Sequence, residues 1–155
     1  MTIAVAFTLG LASAAAAQGA KVFGQGFDNW VFTQTPEADG LINCRATRKA
    51  GGREDIVAMR TSGQPYVSVS AAGRKGKYRE SIIESAGSSW TVTAEANGVR
   101  LWFTPLSANA VEEIMLRGSY AFFLGGTEDR EKVNLGAKSA AAWARVKECV
   151  AASRR

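Results

Sequence analysis

The 155-residue chain contains no histidine. That absence removes the usual general base, every Ser-His or Cys-His nucleophile pair and the commonest metal ligand. Other acid–base arrangements are equally thin. No serine stands three residues before a lysine, so the Ser-x-x-Lys pattern is missing. Glu112 and Glu113 are neighbours on an expected helix and point about 100° apart. Glu80 and Glu84, on an expected strand, lie about 13 Å apart at strand rise. Neither pair has the separation that glycosidase acid and base carboxylates need. No aspartate-rich loop carries calcium-ligand spacing, and Gly24-Gln-Gly26 lacks the third glycine of a phosphate-cradling turn. The expectation is no catalytic residue, no metal and no cofactor.

Cysteine is scarce as well, with only Cys44 and Cys149. Redox-active pairs are usually close in sequence, and these two are about a hundred residues apart. In an exported chain an even pair reads as a structural disulfide; in a reducing compartment the two would be core thiols. The compartment is indicated by Met1 to Ala20, which carries no charge, opens on an apolar run and fades into alanines. That is the pattern of a secretory signal, although no Lys or Arg precedes the apolar run. A membrane-anchoring helix would need about 20 strongly apolar residues, whereas Thr8, Gly10 and Ser13 interrupt this one. Residues 1–17 are therefore expected as a signal peptide cleaved near Ala17. Residues 18–155 are expected as one globular domain, periplasmic or secreted, with no membrane span after cleavage. No Pro- or Ser-rich linker divides that stretch.

The charge of +5 is unevenly placed. From Arg45 to Arg79 nine basic residues face two acidic ones, a net of +7, which leaves the rest of the chain at −2. For an exported protein this excludes nucleic acid as the natural partner. It points instead to an anionic envelope component or another exported protein. Arg74, Lys75, Lys77 and Arg79, in and beyond an expected loop at 73–77, are the candidate contacts. A solvated basic surface is the plainer alternative.

Strand signals dominate the middle of the chain. Phe27–Gln34, Gly40–Thr47, Ile56–Thr61, Pro65–Ala71 and Tyr78–Glu84 read as strands, with Lys49–Arg53 as a loop and Ser62-Gly63 as a turn. Asn97-Gly98 between two alternating runs predicts a two-residue hairpin. Glu95 would then face Arg100, and Ala94 would face Leu101. Trp90, Val92, Ala94, Leu101 and Phe103 share the apolar face of that hairpin, while Arg100 and Trp102 lie on the polar face. Trp102 is either an exposed contact beside a cation or is covered by a second layer. Ser107 can cap a helix near 107–116, followed by strands at Ser119–Leu124 and around Val133–Leu135. A last helix near 137–152 carries Trp143, Val146, Cys149 and Val150 as one apolar stripe. Cys44 faces inward on its strand, so its bond to Cys149 would pin that helix onto the sheet. The fold class expected is mainly β (α+β), an antiparallel barrel or sandwich of about seven to nine strands with two helices.

The Phe27-Asp-Asn-Trp30 opening, the Asn43-Cys44-Arg45-Ala46 strand and the Asn134-Leu-Gly-Ala segment, with Trp143 and Glu148-Cys149, resemble a recurring plan. It is that of small exported bacterial proteins of unassigned function, and it is distantly similar to the invasion-associated locus B proteins. The resemblance implies export and a β-rich domain closed by an alanine-rich helix; it carries over no functional residue. Three functions stay open: a non-enzymatic binding or cell-envelope-associated module, an inhibitor of a secreted hydrolase such as a protease or lysozyme, and an enzyme with a histidine-free site.

Overall fold

The computed structural model describes residues 19–154, so the expected signal segment 1–17 lies outside the described residues. Among the described residues ten strands are joined in one antiparallel sheet: β1 (Lys21–Val22), β2 (Trp30–Pro36), β3 (Ile42–Ala50), β4 (Arg53–Arg60), β5 (Pro65–Ser70), β6 (Lys75–Ser85), β7 (Ser88–Asn97), β8 (Arg100–Thr104), β9 (Ser119–Phe123) and β10 (Arg130–Asn134). Helices α1 (Ala108–Arg117) and α2 (Ser139–Ser153) follow β8 and β10 respectively. The strand order is β1-β2-β3-β4-β5-β8-β7-β6-β9-β10, with β1 and β10 as edges. The mainly β, α+β architecture is as expected, although the sheet is open and has one strand more than the upper estimate.

Local turn chemistry explains the meander. Ala50 pairs with Arg53 across Gly51 (φ 57°) and Gly52 (φ 74°). Two left-handed residues in a two-residue loop match the twist of the flanking strands. The same device recurs at Ala86-Gly87 and, without glycine, at Asp28-Asn29, where Phe27 and Trp30 exchange backbone hydrogen bonds. This last turn means that the first long strand starts at Trp30 and not at Phe27. Asx residues tolerate the left-handed region, so the break falls on them.

The hairpin at Asn97-Gly98 keeps its faces but not its register. Ala96 pairs with Leu101 and Glu95 with Trp102, two residues on from the expected partners. The cause is local: the Asn97 side chain accepts hydrogen bonds from the Val99 and Arg100 amides. Gly98 and Val99 bond instead to the 71–74 loop. Because the slip is an even number, inward residues stay inward. The basic loop expected at 73–77 is also shorter than the sequence suggests, since Lys75, Gly76 and Lys77 pair with β7 as the start of β6.

The inner face of the sheet holds the core. Phe32, Cys44, Ala46, Val57, Met59, Val67, Val69, Val92, Ala94, Leu101, Phe103 and Phe122 are buried with Trp30 and Trp143. Helix α1 begins where Ser107 accepts from the Ala110 amide at 3.1 Å and buries Ala110, Val111, Ile114 and Met115. Helix α2 presents Ala142, Trp143, Val146, Cys149 and Val150. The two helices meet through Ser139, whose hydroxyl donates to the Met115 carbonyl at 2.6 Å, and through Lys147–Glu112 at 3.1 Å. Cys44 and Cys149 are disulfide-bonded, with Cα atoms 5.9 Å apart, which fixes α2 to β3.

The opposite end of the inner face is closed by charge. Arg48 on β3 donates to the Asn134 carbonyl on β10 at 2.9 Å, and Arg53 on β4 pairs with Glu131 on β10. Arg74 adds contacts to Asp129 (2.9 Å) and Glu131 (3.6 Å). The sheet therefore folds back so that its β10 edge lies over β3 and β4. Asp55 is sealed beneath this clasp, 3% exposed, with Arg53 4.0 Å away and no hydrogen-bond partner for Oδ1 among the described residues. Burial pushes its carboxyl pKa up, opposed by Arg53, Arg48 and Arg100 and assisted by Glu131. Burial, then the nearby Asp55 charge, also raises the Tyr120 phenol.

Two stability measurements follow from this arrangement. Replacing both cysteines by alanine is expected to cost about 2–5 kcal/mol in urea unfolding, since the bond closes a loop of 105 residues. A loss well under 1 kcal/mol would mean that α2 is held by packing alone. The native state binds the Asp55 proton above the ordinary value of 3.8, where the unfolded chain has released it. Stability should therefore fall as pH rises from 3.8 through the raised native value, and level off above it. Asp55→Asn should lack that slope in paired urea titrations. An identical slope in both proteins would refute the assignment.

Candidate functional site

The outer face of the sheet is unusual in being polar yet sunken. On β4 every residue from Asp55 to Met59 is buried, including Ile56 and Ala58, which point outward. Register supplies the reason. Arg45, Ala58 and Tyr66 lie side by side on β3, β4 and β5. Ala58 has no bulk, so the Arg45 guanidinium and the Tyr66 hydroxyl meet above it, Nη2 donating to Oη at 3.3 Å. Asn43 Nδ2 donates to the same hydroxyl at 3.0 Å and to Glu37 Oε1 at 3.2 Å. Glu37 in turn holds Arg60 at 2.9 Å.

A cleft of about 410 Å³ opens beside this arch. Glu37, Asn43, Arg45, Arg60 and Tyr66 form one side, Gln64 and Pro65 lie at the β4–β5 turn, and Glu95, Trp102 and Thr104 form the other side. Its size lies within the roughly 300–1,000 Å³ typical of small-molecule sites. Three polar groups in its walls have no protein partner among the described residues. Arg45 Nε and Asn43 Oδ1 are buried without a hydrogen bond. The Tyr66 hydroxyl accepts twice but donates to nothing among the described residues. Asn43 is 6% exposed, and its Oδ1, like Arg45 Nε, is closed off from solvent. An unpaired buried polar atom costs roughly 1–3 kcal/mol.

The residues singled out from the sequence separate into different roles. Trp102 is half-buried and lines the cleft. Arg100 is a strut: it donates to the Glu54 carbonyl (2.7 Å), Glu54 Oε2 (3.2 Å), Ser68 Oγ (3.2 Å) and the Ser68 carbonyl (3.3 Å). Its side chain is 12% exposed, and burial lowers its pKa against the opposing pull of Glu54. Arg74 is committed to Asp129 and Glu131, and Lys77 to Glu95 at 2.7 Å. Lys75 and Arg79 are exposed, with no ion pair to either among the described residues. The four basic positions thus do not form one uncommitted patch. Sequence reasoning missed Glu37, Asn43, Arg45, Arg60 and Tyr66. The available signal was the alternation itself, which puts Asn43 and Arg45 on the face opposite Cys44, but the partners on β4 and β5 depend on register.

No family model matches the chain, and no curated protein or solved structure is significantly similar to it.

Tyr66→Phe is expected to cost about 1 kcal/mol in urea unfolding, because it removes the acceptor shared by Asn43 and Arg45. An unchanged midpoint would show that the arch contributes nothing to the fold.

Proposed function

We propose that this protein is an exported, non-enzymatic binding module of the cell envelope, and that it binds through the outer-face cleft. The observation that carries the reading is the outer-face cleft, which brings the Tyr66 hydroxyl and Arg45, in no ion pair among the described residues, together with a half-buried Trp102. A rigid sheet that holds polar side chains beside an aromatic surface in one preformed cleft is organised to receive a partner. The cleft carboxylates are already matched, Glu37 to Arg60 and Glu95 to Lys77, an arrangement that suits holding better than proton transfer. Export is supported by the Cys44–Cys149 bond, which persists in oxidising compartments. The same reading keeps the likeness to the invasion-associated locus B proteins as a proposal of kind, not of role.

The test combines location and capture. Native-host fractionation should find the chain outside the cytoplasm, shortened near Ala17 and with no titrating thiol. Immobilised protein should retain envelope material, Trp102→Ala should lose it, and a Lys75→Glu, Arg79→Glu double variant should keep it. Full-length chain with free thiols in the cytoplasm would overturn export. Capture lost through the two exposed cations, and not through Trp102, would move the site to the basic surface.

A further inference from the structure

We infer that Asn97 is a site of covalent modification: the Gly98 backbone nitrogen converts its side-chain amide to a carboxylate, and the 71–74 loop sets the rate. Water is the only added reactant. The Gly98 nitrogen gives its proton to solvent base and bonds to Asn97 Cγ; the Cγ–Nδ2 bond breaks, ammonia leaves, and a five-membered imide remains. Water then opens the ring. Cleavage at Cγ leaves aspartate, cleavage at the main-chain carbonyl leaves isoaspartate, and in both cases the Gly98 nitrogen recovers its proton. The chain has asparagine at 29, 43, 97, 109 and 134, and only Asn97 is followed by glycine. Trp30, Cys44, Ala110 and Leu135 follow the others, and each carries a Cβ that crowds the attacking nitrogen, which glycine does not.

The fold prepares the carbonyl and restrains the nucleophile. Asn97 is exposed at the end of β7, open to water and base. Its Oδ1 accepts from the Val99 amide at 2.9 Å and from the Arg100 amide at 2.8 Å. Attack at Cγ pushes negative charge onto that oxygen, where two donors already point. The Gly98 N–H, by contrast, is committed to the Arg74 carbonyl at 2.8 Å. Ala71 donates to the Val99 carbonyl at 2.9 Å and Gly73 to the Gly98 carbonyl at 3.3 Å, so loop and hairpin are tied by three backbone bonds. The Arg74 guanidinium is held in turn by Asp129 at 2.9 Å. The nitrogen is freed only when this loop lifts, so conversion proceeds through a local opening. The product also suits its surroundings. Lys75 lies directly opposite residue 97 across β6 and β7, is exposed, and is in no ion pair among the described residues. An aspartate there would keep both amide donors, now to a charged acceptor, and would face that cation.

The experiment ages the oxidised chain in mildly alkaline buffer and follows it by isoelectric focusing and peptide mass mapping. A form one charge unit more negative should appear, with its change at residue 97, while Asn29, Asn43, Asn109 and Asn134 stay intact. Asp39-Gly40 closes the same kind of ring by losing water and leaves the charge unchanged, so it does not enter the readout. Conversion should be slower in the folded chain than in urea. Arg74→Ala, and independently Asp129→Ala, should speed it in the folded chain and leave the rate in urea as it is. Asn97→Gln should remove the acidic form, because its longer side chain would have to close a six-membered ring. An acidic form arising at another asparagine, or none at all, would overturn the site. Equal rates in folded and unfolded chains, or in the native chain and both loop variants, would overturn its control by the loop.

Discussion

The bond between Cys44 and Cys149 is the constraint from which the rest of the architecture can be followed. It joins β3, the third strand of the sheet, to the last turns of α2, and so sets how closely the helix sits under the sheet. Cys44 is flanked by Asn43 and Arg45, and strand pleating turns those two to the opposite face. One covalent anchor on the inside therefore holds in place two residues that line the outside cleft. Core packing and the wall of the cleft share a single stretch of β3. A change that loosens α2 would be felt at Asn43 and Arg45 without touching either.

At the other end of β3 and β4 the sheet relies on charge instead of sulfur. Arg48, Arg53 and Arg74 come from the segment with a net charge of +7, whereas Asp129 and Glu131 come from the part of the chain with an acidic balance. The imbalance along the sequence is thus offset in part by pairs that cross the fold. Such pairs between half-exposed groups contribute modestly one by one, but here they share acceptors and cover Asp55 and Tyr120. Their role is to define where β10 lies, and with it the point at which the sheet stops curling. A buried carboxylate kept beneath them favours specificity of arrangement over raw stability.

Much of this was readable from residues alone, and the limits have physical causes. Alternation identified the core side of the Gly40–Thr47 strand, with Cys44 inside, and of the hairpin at Asn97-Gly98, while helical spacing placed Trp143 and Cys149 inside. The slip at Asn97 came from a side chain that captured two amides in place of the tight turn, a choice that depends on the 71–74 loop nearby. The short β1 at Lys21–Val22 has too few residues to show a period. The cleft escaped notice because its members lie on different strands. Arg45 and Tyr66 are 21 residues apart and meet only because Ala58 separates them by register and leaves room above itself.

Ala58 also explains why the outer face can be both covered and receptive. A larger residue there would fill the space under the arch and push the Arg45 guanidinium away from Tyr66. With alanine, the two tips meet, each satisfying part of the other and leaving Nε and one hydroxyl hydrogen without a partner. The register then brings Trp102 to the far wall, two strands from Ala58, with Tyr66 and Ser68 on the strand between. The polar side chains are held by a sheet that is hydrogen-bonded on both sides, so the cleft is preformed. Its geometry follows from the small side chain at position 58.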